Sequence, residues 1–142
     1  MKISLAVISG LALLAVGTAD AKKAPGSSNY VVVVGWDAQN NKLTYRESKS
    51  GSDATELHVK HMKSIEWQPE HANSQTLAFD FSSNSDSPFV EGQSRTGRGT
   101  AFIPRNLRKL RDGENSTRYK YSVTLTDNGT AHSEDPIIII EQ

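Results

Sequence analysis

The chain's four histidines are His58, His61, His71 and His132, and Met62 directly follows His61. On a helix, the spacing of His58 and His61 puts both imidazoles on one side, a geometry that suits zinc or copper. On a flat strand the two point to opposite faces, so a bulge is needed to join them. Imidazoles beside a thioether suit Cu(I), Cu(II) or Zn(II). His58, His61 and Met62 are therefore the candidate metal ligands, against the plainer reading of surface imidazoles on a polar strand.

Oxygen ligands come next. Asp80, Ser82, Asn84, Asp86 and Glu91 fall at the ligand spacing of an EF-hand loop. Three features argue against calcium there. Ser85 stands where the sharp turn needs Gly, Pro88 stiffens the second half, and Thr76 to Phe81 reads as a strand. Gly92 to Arg98 mimics a phosphate loop but lacks its Lys and Ser/Thr, and reads as a flexible loop. Gly92-x-Ser94 fails as a nucleophile elbow because Thr96 replaces the second Gly. Glu134-Asp135 sits beside Pro136, where an exposed turn accounts for both acids. No spacing of Ser, His and Asp marks a triad.

Charge segregation is more informative. The 142 residues hold 16 basic and 16 acidic side chains. Residues 95–120 nevertheless carry Arg95, Arg98, Arg105, Arg108, Lys109, Arg111, Arg118 and Lys120 against only Asp112 and Glu114. Residues 64–94 carry Glu66, Glu70, Asp80, Asp86 and Glu91 with no Lys or Arg. A neutral chain can thus present distinct basic and acidic surfaces. Guanidinium forks suit phosphate and carboxylate. The expectation is an anion- or partner-binding face built from Arg95, Arg98, Arg105, Arg108, Lys109 and Arg111. The plainer alternative is pairing with the chain's own acids. No nucleic-acid motif accompanies the charge.

The N-terminus supplies an address. Lys2 precedes an apolar run from Ile3 to Val16, and Ala19 and Ala21 occupy the two positions a signal peptidase reads. The run falls short of the ~20 apolar residues of a membrane span. A cleavable signal peptide over 1–21, a flexible leader over 22–28 and one domain over 29–142 follow, with the mature chain periplasmic or secreted and free of a transmembrane segment. Its anionic partner would then be lipopolysaccharide, phospholipid, an acidic glycan or another protein. The absence of cysteine excludes disulfides, thiol catalysis and thiolate metal sites.

The elements that must position these groups are strands. Tyr30 to Trp36 is a continuous β-branched run, and Leu43 to Arg46 alternates after a turn, giving a first hairpin. Thr55 to Trp67 reads as two short strands broken near Lys60–Lys63. Thr76 to Phe81 places Leu77, Phe79 and Phe81 on one face. Thr100 to Ile103 reads as a short strand stopped at Pro104, and Asn106 to Arg111 as a helical turn ended at Gly113. Tyr119, Tyr121, Val123 and Leu125 alternate with polar residues, so one face is apolar and the other wet. Asp127-Asn128-Gly129 is turn chemistry, and Pro136 opens a last strand over Ile137 to Ile140. Trp36, Trp67, Phe79, Phe81, Tyr119 and Tyr121 are expected in the core, either Trp being the alternative platform for a sugar ring. Seven or eight short strands predict an antiparallel Greek-key β-sandwich.

The run Tyr119-Lys120-Tyr121-Ser122-Val123, the turn at Gly129 and the run Asp135-Pro136-Ile137-Ile138-Ile139 resemble the closing hairpin of small exported β-sandwich proteins. These have cupredoxin-like or immunoglobulin-like architecture. Ile65-Glu66-Trp67 is similar to their middle strands. The resemblance implies a fold and no activity, because blue-copper members need a Cys thiolate that this chain lacks. The sequence reading is an exported non-catalytic binding or interaction module with an Arg-rich face. The alternative is a copper- or zinc-handling protein using His58, His61 and Met62.

Overall fold

The computed structural model describes residues 28–142. The signal peptide and all of the leader except Ser28 lie outside the described residues. Among these residues there are eleven strands and no helix: β1 (Tyr30–Asp37), β2 (Lys42–Glu47), β3 (Glu56–Lys60), β4 (Ser64–Pro69), β5 (Gln75–Asp80), β6 (Thr96–Gly99), β7 (Ile103–Asn106), β8 (Ser116–Lys120), β9 (Ser122–Asp127), β10 (Thr130–Glu134) and β11 (Ile137–Glu141). They form two four-stranded sheets, ordered β2-β1-β4-β7 and β10-β9-β5-β6, and a three-stranded sheet ordered β3-β11-β8. The all-β class is as expected, and the arrangement is compatible with a β-sandwich. Two expectations need correction: the strands number eleven, and β1–β4 and β3–β11 pair in parallel, so two of the three sheets are mixed. The excess arises because the run read over Tyr119 to Leu125 is divided into β8 and β9 where it passes between sheets, and because β6 and β10 form in stretches not read as strands.

One long hairpin shows how. Asn128 (φ 49°) and Gly129 (φ 86°) both take left-handed backbone at a two-residue turn, which matches the twist of the strands it joins. From that turn β9 pairs with β10, and β8 with β11, in one unbroken register. At the midpoint Tyr121 N–H donates to Pro136 O at 3.1 Å. Pro136 has no N–H to return, so the ladder weakens there. The outer half of the hairpin joins the three-stranded sheet and the inner half the four-stranded one.

The outward-to-inward alternation read from the sequence holds along the hairpin. Tyr119, Tyr121, Val123 and Leu125 are buried, with Ile138 and Ile140 beside them. Trp67 anchors the core from β4. Its ring centroid lies 4.3 Å from Phe79 and about 6 Å from Phe81, Phe89 and Tyr121, and its Nε1–H donates to Tyr121 Oη at 3.1 Å. Such aromatic contacts add about 0.5–1.5 kcal/mol per pair beyond burial.

The two four-stranded sheets are fastened at both sides. On one, Leu43 N–H donates to Glu134 Oε1 at 3.0 Å, and Trp36 stacks on His132 with centroids 3.5 Å apart. Trp36 is thus half-buried in a seam instead of a core residue. On the other, Arg105 of β7 reaches the carbonyls of Ser94 and Thr96 at 3.0 and 2.6 Å. That contact also covers the open edge of β6.

Three local expectations fail for identifiable reasons. The segment from Gly92 to Gly99 does not stay a loop: its second half is β6. Gly97 belongs there because a Cβ would stand 2.6 Å from both Ile103 Cγ2 and Phe79 Cε2. The strand expected over Thr100 to Ile103 instead begins at Ile103 and runs through Pro104 to Asn106, since Pro104 lies opposite Glu66 on the edge strand β7, where its missing N–H costs little. Asn106 to Arg111 forms no helical turn. Its backbone is drawn into cross-chain bonds, Leu107 N–H to Lys63 O and Arg108 N–H to Pro88 O, so Leu107 and Leu110 enter the core from extended chain.

Gly97→Ala is expected to destabilise the fold by about 1–3 kcal/mol, the ordinary cost of forcing a methyl into a packed core. Chemical denaturation checks this, and a variant as stable as wild type contradicts the close approach of β6 to β7.

Candidate functional site

The wet faces of β5, β6 and β9 lie side by side. Antiparallel register sets Ala78 opposite both Arg98 and Thr124, and Asp80 opposite both Thr96 and Ser122. Because inward positions alternate with outward ones, Leu77, Phe79, Val123 and Leu125 take the core and leave small polar side chains outside. Small residues between longer flanks make a depression. A cavity of about 620 Å³ lies over Ala78, Asp80, Thr96, Arg98, Thr124 and the rim residue Arg105. A second, of about 340 Å³, shares Asp80 and Ser122 with it and ends at Lys120 and Asp135. A third, of about 410 Å³, lies beyond Thr76 and Thr126, toward Asn128 and Gly129. Together they form a trough along the strands.

The charges in it are set by their partners. Asp80 Oδ1 accepts from Ser82 N–H at 2.7 Å. Ser82, through its hydroxyl and its N–H, holds the Asp80 carboxyl below its ordinary range, so it is a carboxylate at neutral pH. Arg105 lies over the Phe79 ring at 5.3 Å, and burial lowers its pKa from the usual arginine value without discharging it. Arg98 is exposed, and no other described residue offers its guanidinium a hydrogen bond or an ion pair. Hydroxyls that donate and accept, the Asp80 carboxylate and the unpaired Arg98 guanidinium equip the trough to hold a ligand.

The structure scatters the remainder of the expected Arg-rich face. Arg95 donates to Asn84 O at 2.8 Å. Arg108 donates from Nε to Tyr119 Oη at 2.9 Å, and both its terminal nitrogens reach Glu114, at 3.0 and 3.3 Å. Arg111 pairs with Asp86 at 3.1 Å and with Glu114 at 3.4 Å. Arg108 also stands 3.6 Å from Asp86, so two guanidiniums and two carboxylates neutralise one another. Of the six basic candidates, only Arg98 and Lys109 keep side chains with no such partner among the described residues. Of the acids that claim the arginines, Glu114 sits close in sequence to them and Asp86 more than 20 residues away, so which pairs form depends on how the loops fold.

The histidine candidates part ways as well. His58 Nδ1 meets Glu141 Oε1 at 2.5 Å, across β3 and β11, and its Nε2 faces Glu56 at 3.7 Å. His61 follows the end of β3, and its Nδ1 accepts from Leu110 N–H at 3.1 Å. Met62 is exposed, with a left-handed φ of 64°. Among the described residues no group of three or more His, Asp or Glu is arranged to hold a metal ion. In the EF-hand-like stretch, Asp86 faces Arg111 and Arg108, and Asn84 donates to the carbonyls of Phe81 and Lys120. No helix of the described residues is long and apolar enough to cross a membrane. No protein-family model matches the chain, and no curated protein matches it either.

The Arg108–Glu114 pair carries a pH signature. The Arg108 guanidinium, with Arg111 N–H, pulls the Glu114 carboxyl down from its ordinary 4.5 to about 2. A depressed carboxyl stabilises the fold above its unfolded pKa and loses that contribution as pH falls through the folded one. Glu114→Gln should therefore lower the melting midpoint at neutral pH, with the deficit shrinking between pH 4.5 and about 2. Thermal melts across that range check this. A deficit independent of pH contradicts the pairing.

Proposed function

We propose that this chain is an exported, non-catalytic binding module whose partner is anionic and is met in the β5–β6–β9 trough. The single observation that carries the reading is Arg98, an unpaired guanidinium standing over small hydroxyl residues in a cavity of about 620 Å³. Other arginines of the segment serve the fold: Arg105 fastens β6 to β7, and Arg108 and Arg111 are neutralised. Export is supported by the sequence of residues 1–21, and the finer fold by the closing hairpin: a variation on the Greek-key sandwich of cupredoxin-like or immunoglobulin-like proteins. The hydroxyls of the trough and the Asp80 carboxylate suit holding a ligand through hydrogen bonds.

Binding that rests on one exposed guanidinium weakens with salt, because exposed charges are screened beyond a Debye length of about 8 Å at physiological ionic strength. The purified protein should therefore bind at least one of three polyanions, namely inorganic polyphosphate, phosphatidylglycerol vesicles or polygalacturonate, less tightly as salt rises. Arg98→Glu should weaken that binding roughly tenfold or more, a change of about 1.4 kcal/mol. Lys109→Glu, at the other unpaired side chain of the six candidates, should leave it unchanged. Salt-insensitive binding, or equal loss in the two variants, contradicts the site.

A further inference from the structure

Resting on that reading, we infer that the occupant of the trough is an extended acidic glycan, a chain of hydroxyl-bearing sugar units with spaced carboxylates. The cavities follow the strands from Lys120 and Asp135 at one end to Asn128 and Gly129 at the other. At about 3.3 Å per residue, the extended path beside β9 from Ser122 to Asp127 is roughly 17 Å long, and the cavities continue past both of its ends. A depression that long and open fits a polymer better than a small metabolite.

β5 is paired on both sides, with β6 and β9, and β9 is paired with β5 and β10. Their backbone groups are spent, so an extended peptide cannot add itself as a strand here. Recognition falls to side chains, and those on the floor are Thr76, Ala78, Ser122, Thr124 and Thr126. Hydroxyls both donate and accept, matching the hydroxyls of a sugar. Asp80, charged and already oriented by Ser82, accepts from sugar hydroxyls.

Along the trough lie the exposed Lys120–Asp135 pair (3.6 Å), then Asp80, then Arg98. A continuous anionic plane, such as a phospholipid surface, would meet the Asp80 and Asp135 carboxylates along with the Lys120, Arg98 and Arg105 cations, and be repelled over part of the trough. A chain with neutral hydroxyls between its carboxylates can place one carboxylate on Arg98 and hydroxyls on the acids. The large exposed apolar side chains, Met62 and Val90, lie outside the trough's lining, which gives an acyl chain nothing to enter.

Calorimetric titration of the protein with the dimer, tetramer and hexamer of galacturonic acid, and with their methyl esters, tests this. The affinity should rise roughly tenfold from dimer to tetramer as subsites fill, and the esters should bind roughly tenfold more weakly than the acids. Arg98→Ala should abolish the difference between acid and ester. Ser122→Leu, an outward substitution that fills the floor where two cavities meet, should weaken the tetramer roughly tenfold while leaving the melting midpoint in place. If polyphosphate or phosphatidylglycerol vesicles bind through Arg98 and the oligogalacturonates do not, the glycan is wrong and the binding module stands. If none of these anions binds, both fall.

Discussion

The hairpin running from Ser116 to Glu141 has to serve two sheets at once, and the remaining strands arrange themselves around that demand. Its register is continuous, yet the missing N–H of Pro136 weakens the ladder opposite Tyr121. There the chain passes from one sheet into another without a loop. Tyr121 sits at the crossing with its ring inward, stacked on Phe81 at 4.3 Å and accepting the Trp67 indole N–H. The same residue pair thus locates the bend and ties it to the aromatic core. Both the three-stranded sheet and the floor of the trough depend on this crossing, because β8 lies before it and β9 after it.

The trough follows from packing more than from any residue placed to make it. Gly97 lets β6 approach the Phe79 and Ile103 side chains, and Arg105 then fastens that edge by donating to two carbonyls. With the core taking the large side chains of β5 and β9, only Thr, Ser, Ala and Asp remain outside. Concavity is the result, and Arg98 is the cation left over once the neighbouring arginines have found carbonyls or carboxylates.

Much of this was legible in the residues. Alternation located the buried faces of β5, β8 and β9, and Asn128-Gly129 located the tight turn, because side-chain period and left-handed backbone are local properties. Parallel pairing was not legible: β1 meets β4 and β3 meets β11 only through tertiary contacts that no short window contains. Nor was β6, whose glycines look like loop punctuation until Phe79 and Ile103 are seen against them. The arginines of residues 95–111 were visible as charge, but which would be spent internally depended on where Asp86, Glu114 and the carbonyls of Ser94 and Thr96 came to lie. Asp80 was noticed for its spacing to other oxygens. Its standing beside Ser122 and diagonal to Arg98 required strand pairing across 42 residues of sequence or fewer, which spacing alone does not encode.

The central claim is that binding occurs in the trough and not along the Arg108–Arg111 segment or at His58. The most direct measurement is a map of backbone amide shifts in the isotopically labelled protein as tetragalacturonate is added. The account predicts shifts concentrated at Ala78, Asp80, Thr96, Arg98, Ser122 and Thr124. Shifts centred instead on Arg108 to Arg111, or on His58 to Met62, would contradict it.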